Sequence, residues 1–440
     1  MKKLALVTAT AMLMTSLLAS CGKGGENDTS KNGQPSGEKQ TLQMLTWGDP
    51  VNSEKIRDGV FEAYPELGEK MDLEFIVAGS SNLDVAEKYR LSLTSNSYIS
   101  DILMFNSPDF VEFAKAGVLE NLDDIYSDEI KDVIFDSVTD TCSYDGKMLA
   151  VPQEVKQALW FYNKTMFDEA GIDPSAIKTV EEFVAAGKKF MEVFPDTAFF
   201  HALPSNSAYL VQNAIAHNQG VYADEDGNYI IDQSPEVRQA LEDIYTILHS
   251  DIHVEIAEWT PEWEAGFKDR VMASTLTESY FKTFGANLIK DSEDDWSVAM
   301  WPAFGGNGKA VGTGAGGALI LSVPQSAKNI DLAKEYLQKT FLEVEGRKVL
   351  NEISKLAPIR DDLFQEIMDV ADPDWGEAYH PVVYEALKTA GMPSYVGSQY
   401  AKENTITSDY FNSYMNGEIS LDEMLEKCNQ DLTQQIGSAK

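Results

Sequence analysis

The chain has 440 residues, 43% of them hydrophobic, and its 71 acidic residues against 35 basic ones give a net charge of −36 at pH 7. A chain this acidic is poorly suited to nucleic acid or to an anionic lipid surface, because both partners are negatively charged. Beyond the N-terminal segment about 400 residues remain, more than one hydrophobic core usually supports, so two domains or lobes are expected.

The N-terminus carries the pattern of an exported lipoprotein. Two lysines precede an uncharged run over residues 4–20, which is typical of a secretory signal peptide rather than of a membrane span. The string LASC at residues 18–21 resembles the bacterial lipobox, in which the cysteine is acylated and becomes the mature N-terminus. We predict a signal peptide over residues 1–20, lipidation of Cys21 and a flexible tether to residue 40, with cleavage to a free secreted protein as the alternative.

Strand and helix patterns alternate in the next part of the chain. Residues 41–47, 71–79 and 100–106 are short apolar runs that predict strands, and an amphipathic helix pattern follows each. Pro108 and Gly117 mark the start and the end of the third helix. Because strand and helix alternate, we predict an α/β fold with a mostly parallel, doubly wound sheet.

The pattern changes in the middle of the chain. A strand over residues 148–152 leads toward a second one over residues 157–163, and a largely helical stretch then reaches about residue 290. Strands return at residues 296–302 and 317–324, and the last hundred residues are helical.

The segment GTGAGG at residues 312–317 matches the G-x-G-x-x-G string of dinucleotide-binding enzymes. That string binds pyrophosphate only where a strand precedes it and a helix follows it. Here a Pro/Gly loop precedes it and an apolar strand ending at Pro324 follows, so we predict no nucleotide cofactor.

Other sequence signals of site chemistry are weak. His249 and His253 are four residues apart but lack the motif of a zinc protease. The segment DEDGNY at residues 224–229 has a spacing that favours an Asp-Gly hairpin turn over a calcium loop. Cys142 and Cys428 are far apart, which favours free thiols and leaves a disulfide open. We predict no metal site.

Several motifs in a fixed order resemble the family 1 extracellular solute-binding proteins, the maltose-binding-protein-like receptors of bacterial ABC transporters. The resemblance covers nearly all of residues 41–440. Its motifs are AGVL (116–119), YDGK (144–147), YNK (162–164), TVEEF (179–183), EAGFKDRVMAS (264–274), GGALILSVPQSAKNIDLAKEYL (316–337) and NGEISLDEMLEK (416–427).

The resemblance implies a two-lobed type II periplasmic-binding-protein fold with the ligand cleft between the lobes. Residues 41–152 with 316–358 would form one lobe, and residues 153–315 with 359–440 the other. The chain would cross between the lobes three times. Glycine at the second crossing would let the backbone approach a ligand closely, since no Cβ blocks it.

Candidate ligand residues follow from this topology and from the chemistry of sugars. Ligands of open α/β sheets bind beyond the carboxyl ends of the strands, and a sugar needs aromatic platforms together with planar polar groups. The candidates after the first three strands are Trp47, Asp49, Ser80, Ser81, Asn106 and Ser107. Those in the crossings and the second lobe are Glu154, Lys156, Asn206, Tyr209, Glu278, Tyr280, Trp301, Gly316, Arg360, Trp375 and Tyr400.

Among the aromatic candidates, Trp47 and Trp375 are predicted to face each other across the cleft as sugar platforms, with core packing as the alternative for both. Trp259 and Trp263 are four residues apart, and we interpret them as a packing stripe on a helix.

The resemblance implies a lipid-anchored protein outside the cytoplasm that captures a carbohydrate, most simply an oligosaccharide, by hinge closure without catalysis. Its partners would be the carbohydrate and the permease subunits of an ABC transporter, with the membrane touched only through the anchor, no nucleic acid and a monomeric state. The alternatives are an exported carbohydrate-active hydrolase and a surface glycan adhesin.

Overall fold

A computed structural model describes residues 39–202, 207–303, 312–390 and 397–439 of the chain. Strand and helix alternate in its first part, as predicted. The strands there are β1 (Gln40–Thr46), β2 (Met71–Val77) and β3 (Ile102–Asn106). The helices are α1 (Val51–Ala63), α2 (Pro65–Lys70), α3 (Asn82–Ser95), α4 (Ser107–Lys115), α5 (Asp128–Lys131) and α6 (Asp136–Asp140).

A small hairpin and one long strand open the middle part, which mixes short strands with helices. Its strands are β4 (Ser143–Tyr144), β5 (Lys147–Met148), β6 (Val151–Asn163), β7 (Phe200–Ala202), β8 (His253–Glu255), β9 (Ser274–Glu278) and β10 (Trp296–Met300). Its helices are α7 (Lys164–Glu169), α8 (Val180–Val193), α9 (Ser207–His217), α10 (Pro235–Leu248), α11 (Pro261–Lys268) and α12 (Phe281–Ile289).

The last part begins with the glycine-rich strand and is helical from there on, as predicted. The strand is β11 (Thr313–Ser322). The helices are α13 (Ile330–Phe341), α14 (Val344–Ser354), α15 (Asp361–Gln365), α16 (Tyr379–Thr389), α17 (Tyr400–Met415) and α18 (Leu421–Gln435). Within the described ranges, none of the helices has both the length and the apolar run that crossing a bilayer would require.

The large strands form one sheet in the order β2-β1-β3-β11-β6-β9-β7-β8, with β10 beside β6. Strand β1 is parallel to β2 and β3, and β7 is parallel to β8 and β9. Strand β11 is antiparallel to β3 and β6, and β6 is antiparallel to β9 and β10. The prediction of a mostly parallel sheet is therefore wrong, because β6 and β11 join two parallel groups through antiparallel pairs.

Strand β6 connects the two parallel groups. Its residues 151–155 pair with β11, whereas its residues 158–163 pair with β9 and β10. Side chains alternate along a strand, so neighbouring residues of β6 enter different cores. Phe161 packs in a first cluster with β1, β3, α1, α3, α4 and α13, and Trp160 packs in a second cluster with α8, α9, α10, α17 and α18.

The two cysteines whose pairing the sequence left open lie in different clusters. Cys142 is buried in the first cluster and Cys428 in the second, and both are free thiols. Burial raises the pKa of the Cys142 thiol to about 12, so this side chain stays protonated and packs as a small apolar residue.

The glycine-rich segment lies in strand β11, with no helix directly after it, which agrees with its predicted context. A Cβ at Gly314 would stand 2.8 Å from the carbonyl oxygen of Lys156. Gly317 has a φ of +62°, and a Cβ there would collide with the Ser107 hydroxyl. The glycines therefore allow β11 to lie against β6 and the start of α4 at distances that a side chain would prevent.

We predict that Gly317→Ala destabilises the protein more than Gly117→Ala does. Both glycines have positive φ, at +62° and +66°, but only Gly317 faces the Ser107 hydroxyl, whereas the space beside Gly117 is open. The backbone penalty of about 1–2 kcal/mol is common to both variants, and the collision adds to it in Gly317→Ala. Urea unfolding of both variants measures the difference, and equal losses would contradict a packing role for Gly317.

Candidate functional site

A pocket of about 320 Å³ opens where the two strand groups meet. The sequence analysis had selected most of the residues around it. Its lining is Asn106, Lys156, Tyr209, Gln212, Glu258, Glu278, Tyr280, Ala315, Gly316 and Tyr400.

The fold brings these residues together from distant parts of the chain. Asn106 ends β3 and Glu278 ends β9, while Lys156 lies at the middle of β6, where its pairing partner changes. Helices α9 and α17 add Tyr209 and Tyr400. Because β3, β11, β6 and β9 are neighbours in the sheet, residues far apart in sequence share one cavity wall.

A buried carboxylate, an ammonium group and a backbone N–H form the base of the pocket. The Gly316 N–H donates to Glu278 Oε1 at 2.8 Å, and Lys156 Nζ donates to Asn106 Oδ1 at 3.2 Å. Burial raises the pKa of Glu278, while Lys156 and the Gly316 N–H lower it in part. A Cβ at position 316 would come within 2.8 Å of Glu278 Oε2, so this arrangement requires glycine.

Three tyrosines supply aromatic surface and hydroxyl groups. The Thr277 hydroxyl donates to the Tyr280 hydroxyl at 3.2 Å. The Tyr209 hydroxyl is buried without a well-formed hydrogen bond to the described residues. Burial raises the pKa of Tyr209 and of Tyr400, so both hydroxyls remain protonated and can donate to a ligand.

The sequence analysis missed two acidic groups in this region, of which Glu258 lines the pocket and Asp109 does not. Burial raises the pKa of Glu258 to about 7, and a hydrogen bond from Tyr280 lowers it in part. Burial also raises the pKa of Asp109 to about 6, although Asn82 Nδ2 donates to its Oδ2 at 2.7 Å. Its other oxygen, Oδ1, is buried without a partner in the described structure. Asp109 follows Asn106 and Ser107 at the same strand end. The expectation that ligands bind beyond the carboxyl ends of strands could therefore have selected it.

The other candidates after the first strands lie at the predicted sheet edge but not in the pocket lining. Asp49 Oδ1 accepts from the Val51 N–H, and the Ser81 hydroxyl accepts from the Leu83 N–H, so both cap helix starts. Trp47 is half-buried against the first cluster, and Ser80 is exposed.

Ser107 has a structural contact of its own. It is fully buried, and its hydroxyl accepts from the Ala318 N–H at 2.9 Å. This bond joins the start of α4 to β11 directly beside the pocket, so Ser107 supports the wall without lining it.

The structure corrects the two tryptophans predicted in the second lobe. Trp375 is fully buried, with its ring 4.6 Å from that of Phe161 and its indole N–H bonded to the Lys282 carbonyl. The Trp301 indole N–H donates to the Leu159 carbonyl at 2.7 Å, and the residue borders a different cavity, beside α16. The prediction that Trp375 and Trp47 face each other as platforms is therefore wrong, because packing encloses Trp375.

Two charged candidates also lie outside the pocket lining. Arg360 Nε and Nη2 donate to the two carboxylate oxygens of Asp362, at 3.0 Å and 2.7 Å, at the start of α15. Glu154 borders a small separate cavity with Tyr379, and burial raises its pKa while Lys156 lowers it. Asn206 lies outside the described residues.

The pocket combines aromatic faces with hydroxyl, amide and carboxyl groups. Such a set can pack against the C–H face of a polyhydroxylated ligand and bond its hydroxyls, with carboxyl oxygens as acceptors and tyrosine hydroxyls as donors. In the part of the chain that the structure covers, no group of three or more His, Cys, Asp and Glu side chains is placed to hold a metal ion.

The chain is similar to several known proteins. Residues 62–377 match the family model described as bacterial extracellular solute-binding protein. An arabinooligosaccharide-binding protein of Bacillus subtilis is 22% identical over 369 residues, which cover 80% of this chain and 79% of that protein. An arabinooligosaccharide-binding protein of Halalkalibacterium halodurans is 23% identical over 251 residues, 55% of this chain and 54% of that protein, so that match spans about half the relative's length.

A solved structure, that of the sugar-binding protein MalE from Xanthomonas citri, has the same fold. It superposes with a TM-score of 0.72 at 17% identity and covers 90% of this chain and 97% of the other. This likeness confirms the predicted α/β, two-lobed type II periplasmic-binding-protein fold with its cleft between the lobes.

The raised pKa values of the pocket acids predict how stability depends on pH. The folded state holds the proton of Glu258, with a pKa of about 7, more tightly than the unfolded chain, whose ordinary value is 4.5. The stabilisation is fully present below pH 4.5 and is lost as the pH rises through 7. Glu258→Gln should reduce the fall in stability across this window by up to about 3 kcal/mol.

Urea unfolding of the ligand-free protein at several pH values from 5 to 8 measures this effect. Glu262→Gln removes an exposed carboxylate from the next helix and controls for the loss of one negative charge. Equal pH slopes for Glu258→Gln and the unmodified protein would contradict the raised pKa.

Proposed function

Because the chain belongs to the family of bacterial extracellular solute-binding proteins, we propose that it captures a carbohydrate, specifically an oligosaccharide, and delivers it to an ABC transporter. The observation that carries this proposal is the pocket in which Tyr280 and Tyr400 stand beside Glu278, Lys156 and Asn106. The names of the arabinooligosaccharide-binding relatives support an oligosaccharide as the ligand class.

The charges at the site favour a neutral sugar. Glu258 and Glu278 line the pocket with Lys156 as the one cation in its described lining. A phosphorylated or carboxylated sugar would bring further negative charge next to these acids, and like charges at close range raise the free energy of the complex. The hydroxyls of a neutral sugar can instead donate to the same carboxyl oxygens.

We propose that binding works by hinge closure between lobes formed by residues 41–152 with 316–358 and by residues 153–315 with 359–440. Asn106 and Gly316 would then contact the ligand from one lobe, and Tyr209, Glu278 and Tyr400 from the other. A ligand that contacts both lobes only in the closed form shifts the equilibrium by its differential affinity. The family and the relatives are binding proteins, and this mechanism needs no chemical step.

The family places the protein outside the cytoplasm. Within that compartment we propose a monomer held at the membrane by acyl groups on Cys21 alone, with the permease subunits as its protein partners. Residue 21 precedes the described part of the structure, so this proposal depends on the signal-peptide and lipobox patterns of the sequence.

Carbohydrate binding is tested with a panel of arabino-, malto- and β-1,6-galacto-oligosaccharides. A bound sugar at 100 times its Kd should stabilise the protein by roughly 2.7 kcal/mol, seen as a rise in Tm. For the sugar that binds, Tyr280→Ala should lower affinity roughly 25-fold, because truncating a central aromatic group at a binding site costs about 2 kcal/mol or more.

Tyr384→Ala is the matched control, since Tyr384 is a half-buried tyrosine that bonds Asp361 on another face of the molecule. It should lower Tm and leave affinity unchanged. If Tyr280→Ala behaves in the same way, Tyr280 is not part of the sugar site. Release of shortened sugars from the panel would favour a hydrolase instead.

The lipid anchor is tested by Cys21→Ser. Without the thiol no acyl chain can be attached, and anchoring by two or more chains contributes about 0.8 kcal/mol per buried methylene. The variant should therefore move from the membrane fraction to the medium, as followed by fractionation and immunoblotting. Cys428→Ser keeps the lipobox and controls for loss of a thiol. Firm membrane association of Cys21→Ser would overturn the anchor.

A further inference from the structure

Trp259 is the most exposed aromatic side chain in the part of the chain that the structure describes, with 58% of its surface open to solvent. It lies between β8 and α11, at the mouth of the pocket, and not on a helix as the sequence spacing suggested. A large apolar surface left in water next to a ligand pocket is typical of a binding surface.

The backbone of Trp259 is also unusual. Its φ is +64°, in the left-handed region that bulky side chains rarely occupy. Such a conformation persists only where the surroundings fix it, and these residues concentrate at functional sites. The ring is held in place from behind by Phe284, with centroids 4.3 Å apart, and by Trp263 at 5.6 Å. Trp259 is thus a positioned ring with a free face.

Two contacts connect this ring to the pocket. Its plane lies within 25° of the plane of Tyr280, and the two ring centroids are 6.4 Å apart. Tyr280 lines the pocket, and so does Glu258, the residue directly before Trp259. Tyr280 and Trp259 therefore form one continuous aromatic surface that leads from inside the pocket to its rim.

We propose that Trp259 forms an outer sugar subsite, which stacks on a monosaccharide unit of a neutral oligosaccharide that extends out of the pocket past Tyr280. This inference rests on the proposed carbohydrate-binding function and adds selectivity for chain length. A pyranose or furanose ring presents an apolar C–H face to an indole, and the near-parallel rings suit adjacent units of one chain. The neighbouring acids Glu258 and Glu262 disfavour anionic sugars here as well.

The test measures affinity against ligand length. Calorimetry with arabino-, malto- and β-1,6-galacto-oligosaccharides, each from the disaccharide to the hexasaccharide, gives a length series for the unmodified protein. Trp259→Gly removes the ring and accepts a positive φ without strain, so it changes the surface with little effect on the local backbone. It should lower affinity for the longer sugars of the bound series about tenfold and change that of the shortest bound sugar less than twofold.

Two further variants make the result specific. Trp259→Phe keeps an aromatic face and should retain most of the affinity for long sugars. Leu91→Ala removes a side chain that is 61% exposed on α3 and should change no affinity. Melting curves of all variants establish that each one is folded at the assay temperature.

Each outcome decides the inference. Loss of affinity confined to the longer sugars supports the outer subsite. Equal loss for every length means that Trp259 only supports Tyr280, and an unchanged series means that its exposed face serves another partner; both results overturn the subsite and leave the proposed function standing. If no sugar of the panel binds the unmodified protein, the subsite and the carbohydrate function fail together.

Discussion

The pocket depends on one hydrogen bond, from the Gly316 N–H of β11 to the buried carboxylate of Glu278 on β9, at 2.8 Å. Strand β6 lies between those two strands in the sheet, and its Lys156 lies beside the same carboxylate. A buried carboxyl group without such partners would carry a desolvation penalty of several kcal/mol. Glycine at position 316 allows the backbone itself to serve as a partner, because a side chain there would occupy the space of the carboxylate.

The burial of these carboxyl groups also affects which ligands the site favours. The carboxyl groups of Glu258, Glu278 and Asp109 all have raised pKa values, because burial disfavours their charged forms. Each of these carboxyl groups can accept hydrogen bonds from sugar hydroxyls, and an anionic ligand would add negative charge beside them. The pocket therefore suits polyhydroxylated neutral ligands, and the overall charge of −36 acts in the same direction against anions.

Local patterns in the sequence predicted the first strands, their helices and many pocket residues, because the carboxyl ends of neighbouring strands must meet at one edge. They did not predict the antiparallel pairs of β6 and β11. The pairing direction depends on where the chain re-enters the sheet, and it produces no periodic pattern in the sequence. Trp375 was misplaced for a similar reason: an isolated tryptophan has the same sequence signal in a core as at a cleft. Glu258 was missed because β8 before it is only three residues long, and Trp259 was wrongly assigned to a helix because it lies four residues before Trp263.

The same groups bear on the proposed hinge closure. The Tyr209 hydroxyl and Asp109 Oδ1 are buried without well-formed bonds to the described residues, which raises the free energy of the ligand-free state. A hydrogen bond between a ligand hydroxyl and one of these buried atoms stabilises the complex more than a hydrogen bond that only replaces one to water. Of the two residues, Tyr209 on α9 lines the pocket, so a ligand there can reach its hydroxyl directly. In the proposed hinge mechanism, the free energy recovered at this hydroxyl contributes to the differential affinity for the closed form.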